Sequence, residues 1–295
     1  MLVSETFGPF RLRRRIAFGA AAVVFVADPA DDHEPGDRAP TAVAIKRLAT
    51  AATVHPDLTA QLRAEGDLLV RGLAPHPHVV RGHSTGDVAG RPYIEMELVP
   101  GADLRLLVEL GGERPMPPGA AVRSVLDVCG ATSHVHRAGV VHGDINPSNI
   151  LVRHDGVSKL CDFGVAVTPA RRPGGPVRGT AGYMSPEQVR GQEIDRRTDV
   201  FALAVVLWEL LAGRRLFHRG ASWLTLAAVV EAEVPPLPAA VGTPPLDALL
   251  ARALAKDTSV RFPDSETLAG ELERLAGDRG WDLHREAVAT LVAPR

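Results

Sequence analysis

The run His142-Gly143-Asp144-Ile145-Asn146-Pro147-Ser148-Asn149 and a second run, Asp162-Phe163-Gly164, carry the densest chemistry in this sequence. They place a carboxylate fit to act as a general base, Asp144, and two oxygen ligands for a divalent cation, Asn149 and Asp162, on neighbouring loops. A positioned base beside a bound cation is what phosphoryl transfer from a magnesium nucleotide requires. Upstream, Lys46 ends the run Val43-Ala44-Ile45-Lys46, and Glu65 lies one helical turn from both Leu62 and Leu69 on an apolar stripe. A carboxylate in that position is costly to bury unless it is paired, and Lys46 is the natural partner.

These groups need elements to hold them. Residues 10–27 read as two strands around a small-residue turn at 18–22, and the run Val23-Val24-Phe25-Val26 favours a strand. The polar, Pro/Gly-rich stretch 28–41 is expected to be an exposed loop. A strand is expected over 41–48, an amphipathic helix over 57–73, and a second strand over 93–99 before the turn at Pro100-Gly101. Beyond it the pattern is helical, over 119–137, 198–212, 224–232, 243–255 and 265–275, with a tail of no identifiable role. The expected class is α+β. A β-rich lobe over 1–99 and a helical lobe over 100–295 would meet at a cleft near residue 100.

A chain of 295 residues is long enough to bury two such cores. Its net charge of −2 gives no global attraction to nucleic acid or anionic membrane, so neither is expected as a partner. Two cysteines, Cys129 and Cys161, make no disulfide framework and fit a reducing compartment. No secretory signal opens the chain, and the apolar run 200–211, interrupted by Glu209, is too short to span a bilayer. A cytoplasmic location without a membrane segment is expected; the oligomeric state stays open. Trp208, Trp223 and Trp281 read as core or groove-filling residues, and Cys161 as a packing residue.

Over nearly its whole length, and in motif order, the chain resembles the eukaryotic-type protein kinases, specifically the bacterial Ser/Thr branch. The resemblance implies a two-lobed kinase fold, ATP and Mg2+ as cofactors, and protein substrates with Ser/Thr acceptors. Asp144 would be the catalytic base, Asn149 and Asp162 the metal ligands, and Lys46, oriented by Glu65, the holder of the α and β phosphates. The stretch 17–24 stands where the family has Gly-x-Gly-x-x-Gly-x-Val. Only Gly19 is kept, and Ala17 and Ala22 replace the outer glycines. Ala17, Gly19 and Val24 would then line the nucleotide, its binding weakened rather than excluded. Residues 93–99 resemble the hinge, with Met96 behind the adenine, Glu97 and Val99 offering backbone groups, and Asp103 reaching the ribose.

Two residues depart from the family inside the catalytic loop. Gly143 replaces an arginine that binds a phosphate on the activation segment, and Thr168 is the one hydroxyl side chain from Val165 to Gly179, so switching by that phosphate is not expected. Asn146 replaces a lysine that contacts the γ-phosphate. Such a loss costs roughly 2–4 kcal/mol of transition-state stabilisation by analogy with oxyanion donors; Arg171, Arg172 or Arg178 is a candidate substitute. The stretch 179–187 resembles the peptide-docking end of an activation segment. In it Thr180 would bond Asp144 and favour Ser/Thr acceptors, Glu187 would pair with Arg261, and Asp199 would anchor the catalytic loop. Small-molecule phosphotransferases share His-Gly-Asp-x-Asn-Pro-x-Asn but lack this arrangement. The expected function is therefore a bacterial Ser/Thr protein kinase. The alternative, resting on Ala17, Ala22, Gly143 and Asn146, is a pseudokinase that binds nucleotide with little turnover.

Overall fold

The computed structural model describes residues 2–19, 21–29, 42–49, 55–110, 114–166 and 179–292. Thr168, Arg171, Arg172, Arg178 and most of the expected 28–41 loop lie outside them. The chain divides into two units. One comprises residues 1–75 and 80–99, and the other residues 76–79 and 100–295.

The first unit is built on a six-stranded antiparallel sheet. Its strands are β1 (Leu2–Phe7), β2 (Phe10–Phe18), β3 (Ala22–Pro29), β4 (Val43–Leu48), β5 (Gly82–Val88) and β6 (Arg91–Glu97), in the order β1-β2-β3-β4-β6-β5. β3 buries every second residue, and Val23, Phe25 and Ala27 face a core shared with Phe7, Phe10, Leu12, Val43 and Ile45. That alternation is what a half-buried strand requires. β1 was not anticipated from sequence. Its Glu5 accepts two hydrogen bonds from Arg47 at 2.9 Å each, and the Arg47 guanidinium covers the rings of Phe7 and Phe25.

Helix α1 (Pro56–Asp67) begins with proline in its first turn and continues as a π-helical turn, Leu68–Gly72. The expected 57–73 helix is therefore α-helical for only part of its length. β5 escaped the sequence reading because it is polar and carries two glycines. The helix side sits hard against it: a Cβ on Gly82 would meet the Leu69 backbone at 3.0 Å, and one on Gly66 would meet Thr85 at 2.5 Å. These close approaches fix the helix that carries Glu65 against the sheet that carries Lys46.

In the second unit a small antiparallel sheet, β7 (Gly101–Asp103), β8 (Ile150–Arg153) and β9 (Ser158–Leu160), pairs in that order. Residues 76–79 belong here: Leu160 donates to the His78 carbonyl at 2.8 Å, and Val79 bridges Leu160. The helices are α2 (Leu104–Leu110), α3 (Pro118–Arg137), α4 (Pro186–Val189), α5 (Arg196–Ala212), α6 (Ser222–Glu231), α7 (Pro244–Ala253), α8 (Ser265–Arg279) and α9 (Arg285–Val292). α5 is buried from Thr198 to Ala212, which explains its all-round apolar sequence. Asp195 caps its start through Arg197 N–H, and Gly213, at φ 65°, closes its end in the left-handed conformation. Trp208 is buried and donates to the Pro235 carbonyl, whereas Trp223 is 70% exposed and fills no core. The tail forms α9, with Val288 and Val292 buried. Among the described residues no helix is long and apolar enough to cross a membrane.

Candidate active site

Strand register in the first unit groups the candidate nucleotide-binding residues. Ala17 lies opposite Val24, and Val24 opposite Lys46, so the three stand abreast on adjoining strands. Met96 lies opposite Ala44 one strand further on and is buried. From α1, Glu65 receives Lys46 Nζ on both carboxylate oxygens, at 2.6 and 2.7 Å. Both side chains are buried, and their pairing offsets the cost of burying each charge.

Gly19 closes the β2–β3 turn by donating to the Ala22 carbonyl at 2.9 Å. A Cβ added there would meet only that carbonyl oxygen, at 3.6 Å. No described non-glycine residue of this turn has a positive φ. Ala17 and Ala22 therefore sit in ordinary extended backbone and cost the turn no strain. Glu97 exchanges hydrogen bonds with Arg81: its carboxylate accepts Arg81 N–H and its own N–H donates to the Arg81 carbonyl, both at 2.9 Å. Val99 follows the strand and is half-buried.

In the second unit the β8–β9 hairpin brings the metal-ligand candidates together. Ile150 pairs with Leu160, which sets Asn149 beside Cys161, and Cys161 N–H donates to the Asn149 carbonyl at 2.9 Å. Asp162 follows at once. The Asn149 amide nitrogen donates to Asp144, at 2.9 Å to the carbonyl and 3.2 Å to a carboxylate oxygen. Its amide oxygen is thus the atom suited to a cation. Asp162 is exposed, holds φ 63°, and accepts Gly164 N–H at 3.2 Å. A left-handed aspartate costs on the order of 1–3 kcal/mol and persists where its surroundings impose it. One carboxylate and one amide oxygen suit a hard cation such as Mg2+, which typically takes few protein ligands and completes its shell with water and phosphate. Among the described residues no group of three or more His, Cys, Asp or Glu forms a metal cage.

Asp144 is held from several sides. Thr180 donates its backbone N–H to Asp144 Oδ1 at 2.7 Å. Burial pushes the Asp144 carboxyl above the usual carboxylate range; the hydrogen bonds from Thr180 and the neighbouring His142 oppose that rise, and Asp162 adds to it. A raised base sits nearer the operating pH, as general-base catalysis favours.

The loop under Asp144 hangs on α5. Asp199 accepts the backbone N–H groups of His142 and Gly143 at 2.9 and 2.8 Å, and meets His136 Nε2 at 2.7 Å. Burial would raise Asp199, but its hydrogen bond and charge pairing with His136 prevail and hold it below the ordinary range. Phe163 is buried, with its ring edge-on to His142 at 4.8 Å. Gly143 holds φ 75°, a conformation glycine takes without cost. Its carbonyl accepts Gln188 Nε2 at 2.7 Å.

The stretch 179–188 is pinned at its far end by Glu187 and Arg261, whose two bonds measure 2.7 and 2.8 Å. Thr198 Oγ1 adds a third donor to Glu187 at 2.9 Å. Asp103, expected at the ribose, accepts Leu106 N–H at 2.8 Å and so caps α2. Two residues carry more than their sequence reading gave them. Gln188 was not singled out at all, although Ser185 three residues before it is half of a capping box. Asn146 was read only as a missing positive charge.

Similarity to known proteins bears on this geometry. The protein kinase domain family matches residues 19–268. The tyrosine-protein kinase MasK of Myxococcus xanthus is 34% identical, covering 91% of this chain and 43% of its own length. The serine/threonine-protein kinase PknL of Mycobacterium tuberculosis is 41% identical over 67% of this chain and 50% of its own. PknB of Mycobacterium leprae, also a serine/threonine-protein kinase, is 36% identical over 79% of this chain and 38% of its own. The chain spans about half the length, or less, of these curated relatives.

Proposed function

This chain belongs to the protein kinase family, and on that premise we propose that it transfers the γ-phosphate of magnesium ATP to serine and threonine hydroxyls of proteins. The observation that carries the reading is the complete polar set around Asp144. The carboxyl of Asp144 is half-buried and raised, Asn149 bridges it to the metal-ligand hairpin, and Thr180 N–H fixes one of its oxygens.

Lys46, fixed by Glu65, neutralises the α and β phosphates. Asn149 and Asp162 would hold Mg2+, whose charge would offset that of the phosphate oxygens. Asp144 orients the acceptor hydroxyl and takes its proton. Ala17, Gly19 and Val24 line the phosphates, and Met96, Glu97 and Val99 the adenine. Asp103, whose carboxylate caps α2 through one oxygen, would offer the other to the ribose. Because 179–188 is tied down by Glu187, Arg261 and Gln188, it offers an acceptor peptide a fixed edge. An ATP-dependent domain works where the nucleotide is, which assigns it to the cytoplasm.

The test is phosphoamino-acid analysis after transfer to a mixed protein acceptor, with Lys46→Met alongside. Phosphoserine and phosphothreonine, absent with the variant, are expected. Phosphotyrosine alone would overturn the acceptor assignment, and labelling equal in both proteins would overturn the site.

A further inference from the structure

Asn146 stands where a charged side chain was expected, yet it is 4% exposed and both ends of its amide are engaged. Its Nδ2 donates to the Asp144 carbonyl at 3.0 Å and to the Thr180 hydroxyl at 3.1 Å. Its Oδ1 accepts Ser148 N–H at 2.9 Å and thereby caps the 3-10 turn Pro147–Asn149. An amide has two donor hydrogens and one acceptor oxygen, and here all are used. A lysine has donors only, so it could not cap this turn.

The position of these bonds matters. The capped turn ends in Asn149, the metal-ligand candidate. Thr180, at the other end of the amide, also holds Asp144 Oδ1 through its backbone. Gly179, just before it, has φ 122°, and a Cβ there would meet the Gly143 carbonyl at 3.2 Å, so the segment lies against the catalytic loop. With Gln188 donating to the Gly143 carbonyl, the loop and the docking segment are joined by short neutral side chains.

We propose that Asn146 is a positioning residue for the acceptor side of the reaction: it holds the Thr180 hydroxyl, and with it the 179–188 segment, in register with Asp144. On this account Asn146 is not an eroded lysine. Its amide does directly the tying that a phosphate-bound arginine would do at a distance, in keeping with the glycine at 143. The inference rests on the kinase reading above, because the acceptor is defined by it.

A double-mutant cycle tests it, using Asn146→Ala, Thr180→Val and the pair, with kcat and both KM values measured for an acceptor protein and ATP. Thr180→Val keeps the backbone N–H and removes the hydroxyl. Each single change is expected to lower kcat/KM for the acceptor about tenfold, the scale of one hydrogen bond near the reacting atoms. The pair is expected to lose much less than the product of the two, with KM for ATP within about twofold of the parent. Losses that simply multiply, or a tenfold rise in KM for ATP, would overturn the proposal, as would a kcat that rises in Asn146→Lys. Asn146→Ser, which keeps an oxygen to cap Ser148, takes the place of the alanine variant should that one fail to fold.

Amide hydrogen exchange over 179–188, read on the same proteins, separates the two claims. Faster exchange in both single variants, without further increase in the pair, supports the positioning role. Unchanged exchange overturns it whether or not the parent transfers phosphate. A parent with no transfer overturns the kinase reading alone.

Discussion

Lys46 Nζ lies 2.6 Å from one carboxylate oxygen of Glu65 and 2.7 Å from the other, and the two residues are only 7% and 3% exposed. A pair so buried is poor evidence of net stabilisation, but removing one member of such a buried pair typically costs roughly 3–5 kcal/mol. Lys46→Met is therefore expected to lower the melting temperature and abolish transfer together. Lys46→Met/Glu65→Gln should regain most of the melting temperature and none of the activity. Thermal melts run beside a transfer assay check this; activity regained in the double variant would contradict the assignment of Lys46.

Asp162 carries left-handed backbone strain at the position assigned to metal. Asp162→Gly should relieve that strain and stabilise the fold by about 1 kcal/mol, while transfer is lost. Asp162→Asn, which keeps the side-chain shape, should be equally inactive without the gain. Denaturation midpoints of the two variants and the parent decide it. A glycine variant less stable than the parent would show that Asp162 is held by favourable contacts and is not strained.

The raised carboxyl of Asp144 gives the pH profile a direction. The base works only when ionised, so kcat/KM should fall on the acid side with a midpoint above 3.8, the ordinary value for this group. The same shift has a stability sign. A carboxyl raised in the fold contributes stability below its unfolded value, and that contribution is lost as pH rises through the folded one. A profile whose acid limb falls below 3.8 would remove Asp144 from the role of base.

Glu187 behaves in the opposite sense. Burial would raise it, but the hydrogen bonds and charge of Arg261 prevail and hold it below the ordinary 4.5. Its contribution is present above that value and is lost as pH falls through the lower, folded one. Arg261→Ala is expected to cost roughly 3–5 kcal/mol, since it leaves Glu187 buried without its cation. It should also flatten that acid dependence. Melting temperatures of parent and variant across the acid range measure both effects; matching curves would show the pair to be dispensable.

Much of this was legible in the sequence where local pattern and chemistry agree. β3 and β4 announce themselves through β-branched residues, α5 through an apolar run with an acidic start, and the Glu187–Arg261 pair through its motif. β1 and β5 were not legible. β5 is polar and rich in glycine, and its strand state comes from pairing with β6 and from close contact with the helix side, both long-range effects. The same reason hid the work of Asn146. Its donor reaches Thr180 across a sequence separation of 34 residues, so the residue type alone showed a lost charge, not a bond gained. The capping role of Asp103 was not legible either, because a helix-capping aspartate and a ribose-binding one look alike in sequence until α2 is seen to begin beside it.

The most direct measurement is radiolabelled phosphate transfer by the purified protein with magnesium ATP and a protein acceptor mixture, run against Asp144→Asn. The account predicts label on serine and threonine in the parent and a fall of about a hundredfold or more in the variant, the scale of a lost general base. Equal labelling in the two proteins, or ATP binding without any transfer by the parent, would contradict it.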